Sequence, residues 1–220
     1  MKKSGISFVF ALFFLAVTTL NAAPLSDGQL SLESLCAALS SSPNTLGDFT
    51  QTKTIASNGR QLKSSGKFII SPLGIMWKTE KPFPSSLILT KTSMIQISAN
   101  GKKNIMDGKD NQLFENISTS LSSVFSGNLD ALQTAFFCDF SNLFESGESK
   151  WRLTLKAKDS TIASVMEKIV LSGSFASSEN KAELQALEIF EASNNSIRYE
   201  FFNQKYPEEL SADEKQNFIE

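Results

Sequence analysis

The chain changes its hydrophobic period several times, and each change marks an element. Over Ser26 to Ser40 the apolar residues Leu32, Leu35, Cys36 and Leu39 recur at i, i+3, i+4 and i+7, the stripe of an amphipathic helix with one face to lay on a sheet. From Leu46 the period falls to two, and the turn dipeptides Asn58-Gly59, Asn100-Gly101 and Asp107-Gly108 punctuate the alternating segments. Each dipeptide supplies the positive φ angles of a tight hairpin, so the first half predicts an antiparallel meander. Two short helical patterns follow: Ile117, Leu121, Val124 and Phe125, then, past Gly127, Leu129, Leu132 and Phe136 with Asn128 as N-cap. Alternation resumes most cleanly at Trp151, Leu153, Leu155 and Ala157, whose neighbours Arg152, Thr154, Lys156 and Lys158 are all polar. Weaker strands are predicted at Ile169 to Leu171, Leu184 to Phe190 and Ile197 to Phe201, with a Ser-rich loop over Gly173 to Lys181. Past Pro207, Ser211-x-x-Glu214 fits the capping box of one short helix, or else a frayed end.

The order helix, meander, two helices, meander contains no linker, repeat or composition break, and predicts one domain over 24–220 of the mostly β (α+β) class. A single twisted antiparallel sheet with one apolar face must cover that face, by curling toward a barrel or by laying helices across it. Three short helices are too few to fill a long curved sheet. The expectation is an incomplete β-barrel with short helices as a lid over a hydrophobic cavity; a compact α+β core satisfies the same pattern.

At the N-terminus Lys2 and Lys3 precede an apolar run from Ile6 to Val17, followed by Ala22 and Ala23, the order of a secretory signal peptide over 1–23. The run is too short to span a bilayer, and cleavage near Ala22 or Ala23 is expected; the alternative is an uncleaved anchor. No cysteine sits at that junction, so lipid attachment is not expected. The 21 basic and 23 acidic residues give a net charge of −2, and loss of Lys2 and Lys3 takes it to −4. That balance carries no electrostatic footprint for nucleic acid. The chain has no histidine, which excludes His-based triads and His-ligated metals. Its two cysteines, Cys36 and Cys138, read either as a disulfide in an oxidising compartment or as two buried thiols. No metal or other cofactor is expected.

From Phe49 to Leu89 the chain strings Phe49-x-Gln51, Gly66-x-Phe68, Gly74-x-x-Trp77 and Pro82 along strand-like segments. The ordered set extends through Gly47-Asp48-Phe49-Thr50-Gln51-Thr52-Lys53, Pro72, the Asn100-Gly101 turn, Leu121 to Gly127, Trp151 to Leu155 and Ile197 to Asn203. In this it resembles the outer-membrane lipoprotein carrier (LolA) family and its LolA-like relatives. The resemblance implies a helix-lidded half-barrel in the bacterial periplasm that shields acyl chains of a lipoprotein or other lipid and ferries them from the inner toward the outer membrane. By analogy it implies an inner-membrane lipoprotein-releasing ABC transporter and an outer-membrane receptor as partners, with the carrier itself a monomer. Family members place an arginine before the proline that opens the Trp-bearing strand, where it holds the lid shut. Here that residue is Ser71, which cannot form a charged clasp.

Candidates for contact with acyl chains are Phe68, Ile70, Ile75, Trp77, Leu87, Leu89, Leu121, Val124, Phe125, Leu153 and Leu155. Each also reads as an ordinary core residue, because alternation reports burial and not what lies opposite. For catalysis the best fragment is Ser64-x-x-Lys67, the spacing that puts a serine nucleophile one helical turn from its lysine. In a strand, positions three apart point to opposite faces, so the fragment reads as non-catalytic. Asp107, Asp110, Glu145 and Glu148 flank turns and read as solvated loop ends. The expected function is therefore carriage without catalysis. A lipoprotein- or peptide-sensing module on the same half-barrel is the second reading, and a small exported hydrolase the third.

Overall fold

The computed structural model describes residues 30–107, 122–145, 148–176 and 179–218. Helix α1 (Leu32–Ser40) opens on a capping box in which the hydroxyls of Ser31 and Ser34 each accept the other's backbone N–H. An up-and-down meander follows: β1 (Thr45–Ile55), β2 (Arg60–Ser71), β3 (Gly74–Lys81), β4 (Ser85–Leu89), β5 (Ser93–Ile97) and β6 (Lys103–Asp107). Helical residues 122–125 (α2) and α3 (Leu129–Ala135) lead into a second one: β7 (Phe136–Glu145), β8 (Glu148–Ala157), β9 (Met166–Ala176), β10 (Lys181–Glu191) and β11 (Ser196–Lys205). One turn of helix, α4 (Ser160–Ala163), sits between β8 and β9, and α5 (Ala212–Gln216) follows the last strand.

All eleven strands form a single antiparallel sheet in the order β6-β5-β4-β3-β2-β1-β11-β10-β9-β8-β7. Neighbours in space are neighbours in sequence except at the centre, where β1 pairs with β11 from Leu46↔Lys205 to Thr54↔Ser196. The sheet is not closed; β6 and β7 are its edges. Its curvature shows in the aromatic contacts. Trp77 on β3 and Tyr199 on β11 are three strands apart, about 14 Å in a flat sheet, yet their ring centroids are 5.8 Å apart. The result is an open half-barrel.

The two faces differ in what covers them. On the concave face Phe49, Phe68, Trp77, Leu153, Leu155, Ile169 and Leu171 join Leu35, Ala38 and Leu39 of α1, Val124 of α2 and Leu132 of α3 in the main core. On the convex face Ile69, Met76, Ile88 and Ile95 form a second, smaller cluster beneath Leu210 of the C-terminal tail. The tail then ends in α5, whose Ser211–Glu214 capping box forms as expected.

Three boundaries depart from the sequence expectation. The first helix starts at Leu32, because Ser31 is extended and caps it; residues 26–29 lie outside the described set. Phe136 is the first residue of β7 and not the last of a helix, since the Ala135 carbonyl accepts the Lys158 N–H and turns the chain into the sheet. The Ser-rich loop shrinks because β9 runs on to Ala176. There Phe175 is buried and Gly173 passes beneath Trp151, where a Cβ would come within 2.8 Å of the indole. The expected Asp107-Gly108 turn extends beyond the described residues.

Candidate functional site

Strand register arranges the concave face in rows. Ile70 pairs with Ile75 and Ile75 with Leu89; one row along, Phe68, Trp77 and Leu87 are paired in turn. Past Trp77 the side chains become polar: Thr79 beside Ser85, then Gln51 beside Ser64, and near the ends of β1 and β10 an ion pair of 3.3 Å between Lys53 and Glu191. The Glu191 carboxyl is held below its usual range chiefly by the hydrogen bond from Asn195, with Ser193 and Lys53 adding to it. On β1 to β4 the face thus runs from apolar through aromatic to largely polar, Leu62 beside Lys53 excepted, whereas across β9 to β11 the same end stays apolar, with Ile169, Ile189 and Ile197 paired in turn.

Every predicted contact residue within the described set lies in this one cluster. Phe68, Ile70, Ile75, Trp77, Leu89, Val124, Leu153 and Leu155 are buried, and Leu87 and Phe125 are half-buried against them. Leu121 lies outside the described residues. Sequence reasoning missed Tyr199, whose ring lies 5.7 Å from Phe49 and 5.8 Å from Trp77, and Phe201, 4.8 Å from Phe68. Desolvation pushes the Tyr199 hydroxyl up to about 12. The alternation at Ile197, Tyr199 and Phe201 was visible; the pairing of the first strand with the last, which sets them opposite Phe49, was not.

The covering helices are short and meet at one corner. Helix α1 buries Leu35, Cys36, Ala38 and Leu39, whereas α3 buries Leu132 alone. The corner is Gly127, at φ +70, where an added Cβ would lie 2.8 Å from Ser40 Oγ and 3.3 Å from the Cys36 carbonyl oxygen. Behind α1, Asn44 is buried and its side-chain amide donates to the carbonyls of Pro207 (3.3 Å) and Glu208 (2.8 Å), tying the α1–β1 connection to the tail. Cys36 and Cys138 are both free thiols. Burial pushes Cys36 up to about 11, with a further upward contribution from Cys138. Cys138 is raised by burial and drawn partly back by Lys158.

Among the described residues, one narrow opening lies beneath this lid. An opening lined by Leu39, Phe68, Ile70, Phe125 and Leu184 holds about 10 Å³, room for one water at most. Leu35, Ala38 and Leu39 of α1, Val124 of α2 and Leu132 of α3 pack into the same apolar space. A larger cleft of about 760 Å³ lies chiefly on the convex side, beside α5. Its walls mix the apolar Leu46, Phe68, Ile69 and Met76 with the charged Asp48, Lys67, Lys78, Lys205 and Glu214.

Two sequence expectations resolve at residue level. Ser71 closes the β2–β3 turn, accepting the Leu73 N–H at 3.2 Å and donating to the Gly74 carbonyl at 3.3 Å, and bonds to no helix among the described residues. Ser64 bonds Gln51 while Lys67 bonds Asp48, so the two point to opposite faces of β2 and cannot act together. Among the described residues no group of three or more Cys, Asp or Glu is placed to hold a metal, and no helix is long and apolar enough to cross a membrane.

Comparison with known proteins adds the family. No curated protein matches the sequence significantly. Among solved structures, a DUF1329 family protein from Desulfovibrio piger ATCC 29098 superposes with a TM-score of 0.47 at 11% identity, over 82% of this chain and 92% of that one. A LolA superfamily protein from Nitrosomonas europaea does so with a TM-score of 0.43 at 9% identity, over 86% and 96%. The family described as outer membrane lipoprotein carrier protein LolA matches residues 41–214. The chain therefore belongs to the LolA family.

Proposed function

We propose that this protein is a periplasmic carrier that takes up the acyl chains of a lipoprotein or other lipid on its concave face. One observation carries the reading. The deepest apolar side chains of the sheet are covered by short helices and not by a second sheet, so their cover is separable from the scaffold. Helix α1 contributes two buried leucines, Cys36 and Ala38, worth roughly 6 kcal/mol of burial in total. An acyl chain offers about 0.8 kcal/mol per methylene, so about eight methylenes replace what α1 gives up. Exchange of helix for chain is then close to balanced, and loading and release both stay accessible. A cavity that buried the same chain outright would hold it too tightly to deliver.

In this reading the first 23 residues direct export and are removed, and the rest acts as one monomeric unit without catalytic residues. By analogy with the family, loading comes from an inner-membrane lipoprotein-releasing ABC transporter and delivery goes to an outer-membrane receptor. Organic extraction of the purified exported protein, followed by mass spectrometry, tests it. Acyl compounds in stoichiometric amount support carriage. Their absence, together with no uptake of a fluorescent fatty acid, refutes it.

A further inference from the structure

Trp77 carries a buried polar atom that nothing among the described residues satisfies. Its side chain is 8% exposed, and its Nε1–H, wholly screened from solvent, has no hydrogen-bond acceptor. The comparison within the same core is Trp151, also buried, whose Nε1–H donates to the Ser174 carbonyl at 3.0 Å. Buried indole N–H groups ordinarily find a partner, and leaving one without destabilises a fold. The place matters as much as the lack. Trp77 stands at the step in polarity along the concave face, with Ile70, Ile75 and Leu89 on one side and Thr79, Ser85, Ser64 and Gln51 on the other.

An amphiphile lying along that gradient puts its hydrocarbon against the isoleucines and its head toward the serines. The atom that falls at the step is the one joining chain to head. In an acyl lipid that junction is an ester or amide carbonyl, an acceptor; in an alkyl ether the same position offers only a weakly accepting oxygen. We propose that Trp77 Nε1–H is a specificity determinant that donates to the carbonyl of an acyl ester or amide, so that the site favours acyl over alkyl-ether chains. This rests on the carriage reading and deepens it: it names the chemical feature of the cargo that the protein checks. The check is made only in the loaded state, because in the empty protein no acceptor reaches this indole among the described residues.

The test uses the purified exported protein, stripped of lipid, and a matched pair of ligands: hexadecanoyl lysophosphocholine and its hexadecyl ether. Each displaces a fluorescent fatty acid. The wild-type protein binds the ester about two- to tenfold more tightly, the range of one net hydrogen bond. In Trp77→Phe, whatever happens to both affinities, that ratio falls to one. Should the variant fail to fold, nitrogen-15 labelling of the indoles of the wild-type protein decides. One indole N–H resonance moves downfield with the ester and stays in place with the ether. Equal binding of ester and ether by the wild type, or a preference that survives Trp77→Phe, overturns the inference and leaves carriage standing. Binding of neither ligand overturns both.

Discussion

Gly127→Ala is the sharpest probe of whether the helical cover is a separable part. The residue sits at φ +70 against the end of α1, and the new Cβ would meet Ser40 Oγ at 2.8 Å and Ser40 Cβ at 3.1 Å. An L-residue in that left-handed conformation costs about 1 kcal/mol. Ser40 can swing its hydroxyl away only by giving up the bond it donates to the Ala37 carbonyl at 2.9 Å, about another 1 kcal/mol. The total of roughly 2 kcal/mol corresponds to about a 30-fold increase in the open population. Because the three atoms nearest to the new Cβ all belong to α1, the loss should be local. Amide hydrogen exchange over Leu35 to Leu39 is expected to accelerate by that factor while β8 and β9 stay protected, and a fluorescent fatty acid should enter faster. Ser40→Ala gives up the same hydrogen bond on its own, so adding it to Gly127→Ala should accelerate exchange by less than the product of the two single effects. Unchanged exchange in α1, or equal acceleration in helix and strands, would refute a cover that moves apart from its scaffold.

The cysteine on that cover reports its position. Cys36 is held as a thiol with its pKa pushed up to about 11, against 9.0 when free of burial. At pH 8 its thiolate fraction should rise about 100-fold on opening, so a saturating fatty acid is expected to speed its alkylation, read by peptide mass spectrometry; no acceleration contradicts the opening. Stability should fall in alkali. Cys36 is raised toward 11 and Tyr199 and Tyr206 to about 12, so the folded state holds protons that the unfolded state releases. Their contribution is complete below about pH 9 and disappears as pH climbs through 11 and 12, which urea melts at pH 8 and 11 would register. Leu153, fully buried, and Leu62, at 44% exposure, share the apolar face but not the same load. Leu153→Ala should destabilise by about 2–5 kcal/mol and Leu62→Ala by less than about 0.5 kcal/mol, measured by denaturant unfolding.

Much of the fold is written locally. The strict alternation from Trp151 to Ala157 places β8 and its faces directly, and the Asn58-Gly59 and Asn100-Gly101 turns set which strands are neighbours. The closure between β1 and β11 has no such marker, because no turn joins them; their pairing spans nearly the whole chain. That is why Tyr199 stayed outside the predicted site. In β2 and β3, Phe68-Ile69-Ile70 and Ile75-Met76-Trp77 are apolar on both faces, a pattern that a period of two cannot resolve. The reason emerges only from the tail, since Leu210 covers Ile69 and Met76 from outside. The fit of the helices was hidden for a different reason. Periodicity says which side faces inward and measures no volume, so a packed interface and an empty one read alike.

The pairing of first strand with last has a consequence for how the molecule is made. Each meander can zip up from its own hairpins as synthesis proceeds, but the seam that welds the two halves waits for β11, some 150 residues after β1 has emerged. Until then β1 exposes an unpaired edge on a half-sheet with an oily surface, the kind of intermediate that invites aggregation. A chain cut just before Ser196 would lose β11, the partner of the central strand β1, and leave two half-sheets with raw margins, not a smaller version of the whole. The vulnerable moment in the life of this protein is accordingly its last few seconds of assembly, and its quality control is built into the requirement that both ends arrive.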